Sequence, residues 1–316
     1  MKISCRHVNI CSMKQKTFDM EMKEIFGGKV CRLALQTGCT CPNRDGTKGT
    51  GGCIFCSEGG SGDFAADPSL SVAEQIEAAK LTVSKKLSKS FAGYMAYFQS
   101  FTNTYGPCER LRAIFTEALM CDDIVALSIG TRPDCLPDGM IKMLSSLNRI
   151  KPLYVELGLQ TMHEDTAVLI NRCYSLPVFE DAVMRLRAEG IKVVVHMIAG
   201  LPGEDEKRIL ETASYLSEFS HSVPGMTLIN GVKLQILQVL RNTRLQKAVQ
   251  DDPAFIKEYT LEEYTELLKK ILDILPSDMT VHRLTGDPPK KLLISPQWTA
   301  DKRHVLNCIK KELLLP

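Results

Sequence analysis

The chain of 316 residues has no apolar run near the roughly 20 residues that cross a bilayer, which excludes a membrane-spanning helix. Its first stretch, MKISCRHVNICSMKQKTF, has no apolar signal core. A cytoplasmic protein is therefore expected, with no membrane partner. Charge of one sign is also missing. Lys and Arg number 39 against 37 Asp and Glu, a net charge of +2. Bulk electrostatics therefore do not announce a nucleic-acid binder, and any such site has to be a local patch. Internal repeats and low-complexity tracts are absent. Hydrophobic residues make up 44%, which fits a globular chain long enough to bury a full core without staples. Disulfides are rare in the cytosol, so the twelve cysteines point to metal, chemistry or buried thiols. Cys5, Cys11, Cys31, Cys108, Cys121, Cys135, Cys173 and Cys308 are scattered, and each reads best as a buried or idle thiol.

From residue 29 the chain alternates short apolar runs with helical patterns. The runs are VCRLAL (30–35), YMAYFQSF (94–101), IVALSI (124–129), LYVELGL (153–159), KVVVHMIAG (192–200) and VKLQILQVL (232–240). Each is short and rich in β-branched or aromatic residues, as a buried strand requires. Amphipathic stretches such as CERLRAIFTEALM and EKRILETASYLSEF lie between them, and Gly190 ends one helix before a strand. Six strands alternating with helices imply βαβ units and a parallel sheet, either doubly wound or curled into a full or partial barrel. In both, the ligand sits beyond the carboxyl ends of the strands. After residue 240 the pattern becomes helical, clearest in YTLEEYTELLKKILDIL, and then basic and mixed from MTVHRLTGDPPKK onward.

The stretch CPNRDGTKGTGGCIFC (41–56) follows the first strand and so lies on the ligand edge. Cys53 and Cys56 form a CxxC, whose spacing lets two thiolates reach one metal centre. A redox pair leaves Cys41 unexplained. A structural zinc wants a fourth ligand, and Cys39 shares its side of an extended strand with Cys41, a poor tetrahedral start. An iron–sulfur cluster is also held by cysteine thiolates. Spacing alone leaves cluster, zinc and scattered thiols open.

The surrounding residues resemble the cluster loop of radical S-adenosylmethionine (SAM) enzymes. They resemble most the YhcC/YtqA-type family, relatives of the elongator catalytic subunit. The common spacing in such enzymes is CxxxCxxC; the longer first gap here is this family's own pattern. The resemblance continues through FGGKV (26–30), GSGDF (60–64), YFQSFTNTYGP (97–107), TRPDCLP (131–137), VELGLQT (155–161), INR (170–172), GLPGE (200–204) and HRLTGDPPKKLLISPQW (282–298). It covers almost everything after residue 20. The first twenty residues depart from the family's usual start. Cys39 stands where the family has an aromatic, which adds a competing ligand.

The resemblance implies a partial (β/α)6 TIM-like barrel of the radical SAM type, with a C-terminal helical and mixed extension. Residues 1–25 are an N-terminal extension, 26–240 the core and 241–316 the C-terminal extension. Cys41, Cys53 and Cys56 are implied to hold a [4Fe-4S] cluster whose fourth iron binds SAM. An electron then cleaves SAM to methionine and a 5′-deoxyadenosyl radical. Gln160 and Arg172 are implied to hold the SAM carboxylate, as a Gln and an Arg at this spacing do in coproporphyrinogen-oxidising relatives. The chain lacks the usual GGE motif for the SAM amino group; FQSFTNT stands in its place, giving Gln99, Thr102 and Asn103 as candidates. Glu156, a lone acid in an interior strand, must be paired, with SAM or with a nearby arginine. Gly200 and Gly203 would let backbone approach the ligand, though a plain turn has the same composition. His196 reads as structural. Arg132 either holds an acidic substrate group, caps a helix or pairs with Asp134.

The elongator resemblance suggests transfer RNA wobble uridine as substrate. That relative carries an acetyltransferase domain that this chain does not show, so a different overall reaction is expected. The expectation is removal of the carboxymethyl group from 5-carboxymethylaminomethyluridine, leaving 5-aminomethyluridine for a separate methyltransferase. A flavodoxin- or ferredoxin-type electron donor is implied. The tail supplies His282, Arg283, Lys290, Lys291, Trp298, Lys302, Arg303 and Lys310 for RNA contact, unless they form an ordinary solvated face. Two alternatives stay open: a radical SAM enzyme acting on a small metabolite or protein, and a zinc-stabilised RNA-binding protein without catalysis.

Overall fold

Seven parallel strands curl into a half-barrel in the computed structural model, which describes residues 14–60, 62–84 and 90–313. Residues 1–13, with Cys5 and Cys11, lie outside the described residues. The strands are β1 (Lys29–Leu35), β2 (Phe91–Phe98), β3 (Ile124–Thr131), β4 (Leu153–Gln160), β5 (Lys192–Ala199), β6 (Gly231–Ile236) and β8 (Thr280–Arg283). They lie side by side in chain order, every neighbouring pair parallel. The helices α2 (Val72–Val83), α3 (Cys108–Met120), α4 (Asp138–Asn148), α6 (Leu176–Ala188) and α7 (Glu206–Ser220) make the crossovers. A short α5 (Glu164–Leu169) precedes α6, and α6 ends before Gly190, whose φ of 71° is the left-handed position that glycine fills without strain.

Period-two alternation sorts each strand's residues between two surroundings. Outward residues such as Leu33, Phe98, Leu127, Val155 and Val195 join the main core against the helices. Inward residues fall into layers. Val30, Met95, Ala126, Tyr154 and Val194 make an apolar floor, sealed by Phe18 and Met22 of α1 (Phe18–Phe26). Two positions further along the strands stand Arg32, Tyr97, Ser128, Glu156 and His196, with Lys233 and Arg283 beside them. The interior therefore passes from apolar floor to charged middle to open mouth at the carboxyl ends.

Two expected features are redrawn. The run VKLQILQVL is not one strand: β6 stops at Ile236, and β7 (Val239–Leu240) pairs antiparallel with β9 (Leu293–Ser295). The seventh parallel strand comes from TVHR, inside the segment expected to be a C-terminal extension. That segment otherwise holds α8 (Arg244–Asp251), α9 (Leu261–Ile274) and α10 (Lys302–Glu312). Likewise α1 starts within the expected N-terminal extension, capped by the Thr17 side chain and packed against β1 and β8. Among the described residues no helix is long and apolar enough to cross a membrane, and all ten cysteines are free.

Candidate active site

The mouth of the half-barrel opens into a cavity of about 250 Å³ lined by Cys41, Cys53 and Cys56. The loop that carries them is fixed by polar side chains. Asn43, fully buried, donates to Asn171 O at 2.6 Å and to Cys53 Sγ at 3.7 Å. Asn171 Nδ2 returns a bond to Gly52 O at 2.7 Å. Arg44 donates to the carbonyls of Cys56 and Ser57, and Arg244 to that of Gly52. Gly49 has to be glycine, because a Cβ there would stand 2.3 Å from Asn43 Oδ1. The asparagine in INR thus serves the cysteine loop.

Cys53 and Cys56 hydrogen-bond through their thiols, and this contact, then burial, pushes the Cys53 thiol well up. Among the described residues no three His, Cys, Asp or Glu side chains converge on one point as single-ion ligands. The three sulfurs instead ring one cavity. Cysteine thiolates on one cavity suit a zinc or an iron–sulfur cluster, and three of them leave one position of a four-iron cluster for another ligand. The half-exposed position of all three also leaves room beside them for a second ligand. Cys39 is set apart: it is buried, with its Sγ 3.7 Å from Arg110 Nη1.

Gln160 and Glu156 line the cavity, as do Gln99, Thr102, Arg132 and His196. Gln160 ends β4 with φ of 64°, a conformation that costs a non-glycine residue energy and that clusters at functional sites. Its Oε1 accepts from the Tyr174 hydroxyl at 3.2 Å. Arg132 pairs with Asp134 through two bonds of 2.9 Å and lies over the Tyr174 ring.

Three candidates are set back from the cavity. Arg172 is fully buried: Nη1 donates to Leu159 O (2.9 Å) and Thr161 O (2.6 Å), and Nε to Tyr174 O (3.1 Å). Its Nη2 meets Glu164 at 3.4 Å. The guanidinium braces the end of β4 and is not among the residues that line the cavity. Asn103 is likewise buried. It accepts from the Thr37 hydroxyl at 2.9 Å and donates to Gly130 O at 2.9 Å, tying the ends of β1, β2 and β3 together. Gly200, with φ of 82°, faces Ile236 and Tyr259 rather than the cavity.

Sequence reasoning finds Glu156 but not its partner. The carboxylate takes an ion pair from Lys233 of β6 and sits 2.7 Å from His196 Nε2 and 2.8 Å from the Ser128 hydroxyl. Lys233 also reaches the Tyr97 hydroxyl at 3.1 Å. Burial would raise the Glu156 carboxyl, but Lys233 and His196 outweigh it and hold it well below the usual range. Burial pulls the His196 imidazole down, against the Glu156 hydrogen bond that favours its charged form. Lys233 was legible as a charge inside VKLQ, at the inward phase of a strand. Arg283, expected on a surface tail, also lines the cavity, since TVHR is the seventh strand.

The Radical SAM superfamily model matches residues 40–216, and the Radical SAM C-terminal domain model matches residues 229–314. The protein YtqA of Bacillus subtilis (strain 168) is 42% identical over 94% of this chain and 88% of its own. Protein YhcC of Escherichia coli (strain K12) is 32% identical over 90% of this chain and 87% of its own. A tRNA uridine(34) acetyltransferase of Methanocaldococcus jannaschii is 26% identical over 54% of this chain and 30% of its own. Among solved structures, Methanocaldococcus infernus Elp3 with an N-terminal deletion superposes with a TM-score of 0.63 at 18% identity. It covers 90% of this chain and 63% of that one, a likeness of fold.

Proposed function

Because this chain belongs to the radical SAM superfamily, whose cofactors are a [4Fe-4S] cluster and SAM, we propose that it is a radical SAM enzyme that modifies wobble uridine in transfer RNA. In this reading Cys41, Cys53 and Cys56 hold the cluster. The observation that carries it is that these three thiols share one cavity with an ionic barrel interior at the carboxyl ends of the strands. When bound, the cluster supplies the electron that cleaves SAM to a 5′-deoxyadenosyl radical. The protein's own part is binding and orientation. Gln160 offers an amide at the mouth, held by Tyr174. Gln99 and Thr102 offer polar groups after β2. Arg132 lines the cavity with the cysteines, but its guanidinium is already held by Asp134 and by Arg172 O, so a carboxylate bound there has to displace one of them.

The finer reaction proposed is conversion of 5-carboxymethylaminomethyluridine to 5-aminomethyluridine. Hydrogen abstraction at the carbon between nitrogen and carboxylate gives a stabilised radical. Loss of one electron and one proton from it to a one-electron acceptor protein leaves an imine, and water then splits the C–N bond to release the amine and a two-carbon oxo acid. Similarity to a tRNA uridine(34) acetyltransferase supports the substrate class. A flavodoxin- or ferredoxin-type donor and a downstream methyltransferase are the partners this reading requires.

The test is transfer RNA from a strain lacking the protein, incubated with anaerobically reconstituted enzyme, SAM and a reductant. Nucleoside mass spectrometry should show the carboxymethylated nucleoside falling as 5-aminomethyluridine rises. Unchanged nucleosides alongside rapid SAM cleavage would point to a small metabolite or protein. Zinc in place of about four irons after anaerobic purification rejects the enzyme reading altogether.

A further inference from the structure

Arg283 is a cation without an anion. It ends β8 in register with Lys233 and lines the cavity. Among the described residues its side chain has no ion pair and no hydrogen bond. The groups around it are accounted for. Glu156, the carboxylate of the inner layer, is taken by Lys233 and His196. Asp287, next on the cavity wall, pairs with Lys302. Arg32, a further cation of this layer, donates to His282 at 3.0 Å and lies over the Phe18 ring. Tyr97 bonds to Lys233. Arg283 therefore lines the cavity with no counter-charge paired to it, and the anion of a ligand would supply one.

A second observation falls on the same side. Gln238 Nε2 is buried with no hydrogen-bond partner. It and Gln235 Oε1 converge beside Gly286, three residues beyond Arg283, where a Cβ would stand 3.3 Å and 3.5 Å from them. An unpaired guanidinium, an unspent amide donor and an amide acceptor thus share one wall of the cavity, contributed by β6, the turn after it, and β8.

We propose that Arg283, with the Gln238 amide, forms the subsite that receives the carboxylate of the substrate. This rests on the function proposed above, and it names the recognised group as the acid of the carboxymethylamino substituent. It also gives specificity a source. A half-buried guanidinium left without its anion gives the carboxylate-free product less binding energy than the substrate, so the product leaves.

The experiment is equilibrium dialysis with the cluster-loaded, SAM-bound protein and two nucleosides: 5-carboxymethylaminomethyluridine and its methyl ester. The wild type should prefer the acid by roughly ten- to a hundred-fold, the range of a charge-assisted bidentate pair. Arg283→Gln should bring the two within about twofold, and Arg283→Lys should keep part of the preference. Melting curves for both variants show whether they fold; if Arg283→Gln does not, Arg283→Lys and Gln238→Leu each have to narrow the preference. Equal binding of acid and ester by the wild type overturns the proposal, as does a preference that survives Arg283→Gln. Loss of SAM affinity in Arg283→Gln also overturns it, by assigning the arginine to the cofactor's carboxylate. An acid preference that disappears in the variant, together with transfer RNA that the wild type leaves unmodified, would uphold this subsite while rejecting the proposed RNA reaction.

Discussion

Glu156 on β4 and Lys233 on β6 form an ion pair across β5, and both side chains are buried, 1% and 0% exposed. The strand between them contributes His196, in register with Lys233 and bonded to the same carboxylate oxygen. Three adjacent strands thus place an acid, a base and an imidazole at one height in the barrel. Removing one partner leaves the other charge buried, which costs about 3–5 kcal/mol. Glu156→Gln and Lys233→Met should each lower stability by that order in denaturant unfolding. The double variant should lose less than the sum of the two. Additive losses would mean that the pair does not act as a unit.

The same pair makes a pH prediction. Burial pulls the Lys233 ammonium down to about 7, with Arg32 and Arg283 adding to the effect and Glu156 opposing it. An unfolded lysine titrates near about 10.4. Between these values the unfolded chain holds a proton that the folded chain has released, so stability from this group rises with pH across the window. It is fully present above the upper value and lost as pH falls through 7. Unfolding free energies of wild type and Lys233→Met, compared from pH 7 to 10, should diverge in that direction. Parallel curves would show that Lys233 stays charged in the folded protein.

The cysteine loop gives a third prediction. Replacing Cys41, Cys53 or Cys56 by Ala should abolish iron loading. Cys39→Ala should leave it nearly intact, since the Cys39 thiol lies against Arg110 and outside the cavity. Iron analysis after anaerobic reconstitution reads this directly. A Cys39→Ala protein without iron would make Cys39 a ligand.

Much of this was legible in the sequence, and what was not has a physical cause. Long apolar strand runs announced six strands, because a parallel strand covered on both faces is apolar on both. TVHR was illegible for the opposite reason. It is four residues long with a histidine and an arginine among them, and it is a strand because it pairs parallel with β6 at the end of the sheet. Arg172 stood in a pattern whose sequence spacing matches that of ligand arginines. Spacing cannot tell a guanidinium facing a cavity from one turned inward to three backbone carbonyls. Asn103 poses the same problem: an asparagine after a strand either faces the ligand or ties the strand ends together, and here it ties them.

Arg172 therefore carries a different prediction from a ligand-binding arginine. Its removal strands the carbonyls of Leu159, Thr161 and Tyr174, each worth about 1–3 kcal/mol when buried and unmet. Arg172→Met should lower the melting temperature of the protein with no SAM added. An unchanged melting temperature combined with weakened SAM binding would return Arg172 to the cofactor.

The last prediction concerns RNA. Trp298, expected to stack on a base or pack in the core, is half-buried at the edge of the core: Nε1 donates to Tyr259 O at 2.8 Å and the ring lies against Tyr264. Arg283 is inside the cavity. Of the tail's basic groups, Lys290 and Lys291 stay exposed on the segment that leads from the cavity rim at Pro289. A chain of net charge +2 that binds transfer RNA has to concentrate positive charge near the opening through which the nucleotide enters. Phosphates held there would make affinity fall with salt, by about one unit of log–log slope for each phosphate neutralised. Lys290→Gln with Lys291→Gln should weaken transfer RNA binding at low salt and flatten its salt dependence by about one to two units. SAM cleavage without RNA should be unaffected, because neither lysine faces the cysteines. Wild-type affinity across the salt range would move the RNA surface to the other rim, where Lys48 and Arg44 stand on the cysteine loop.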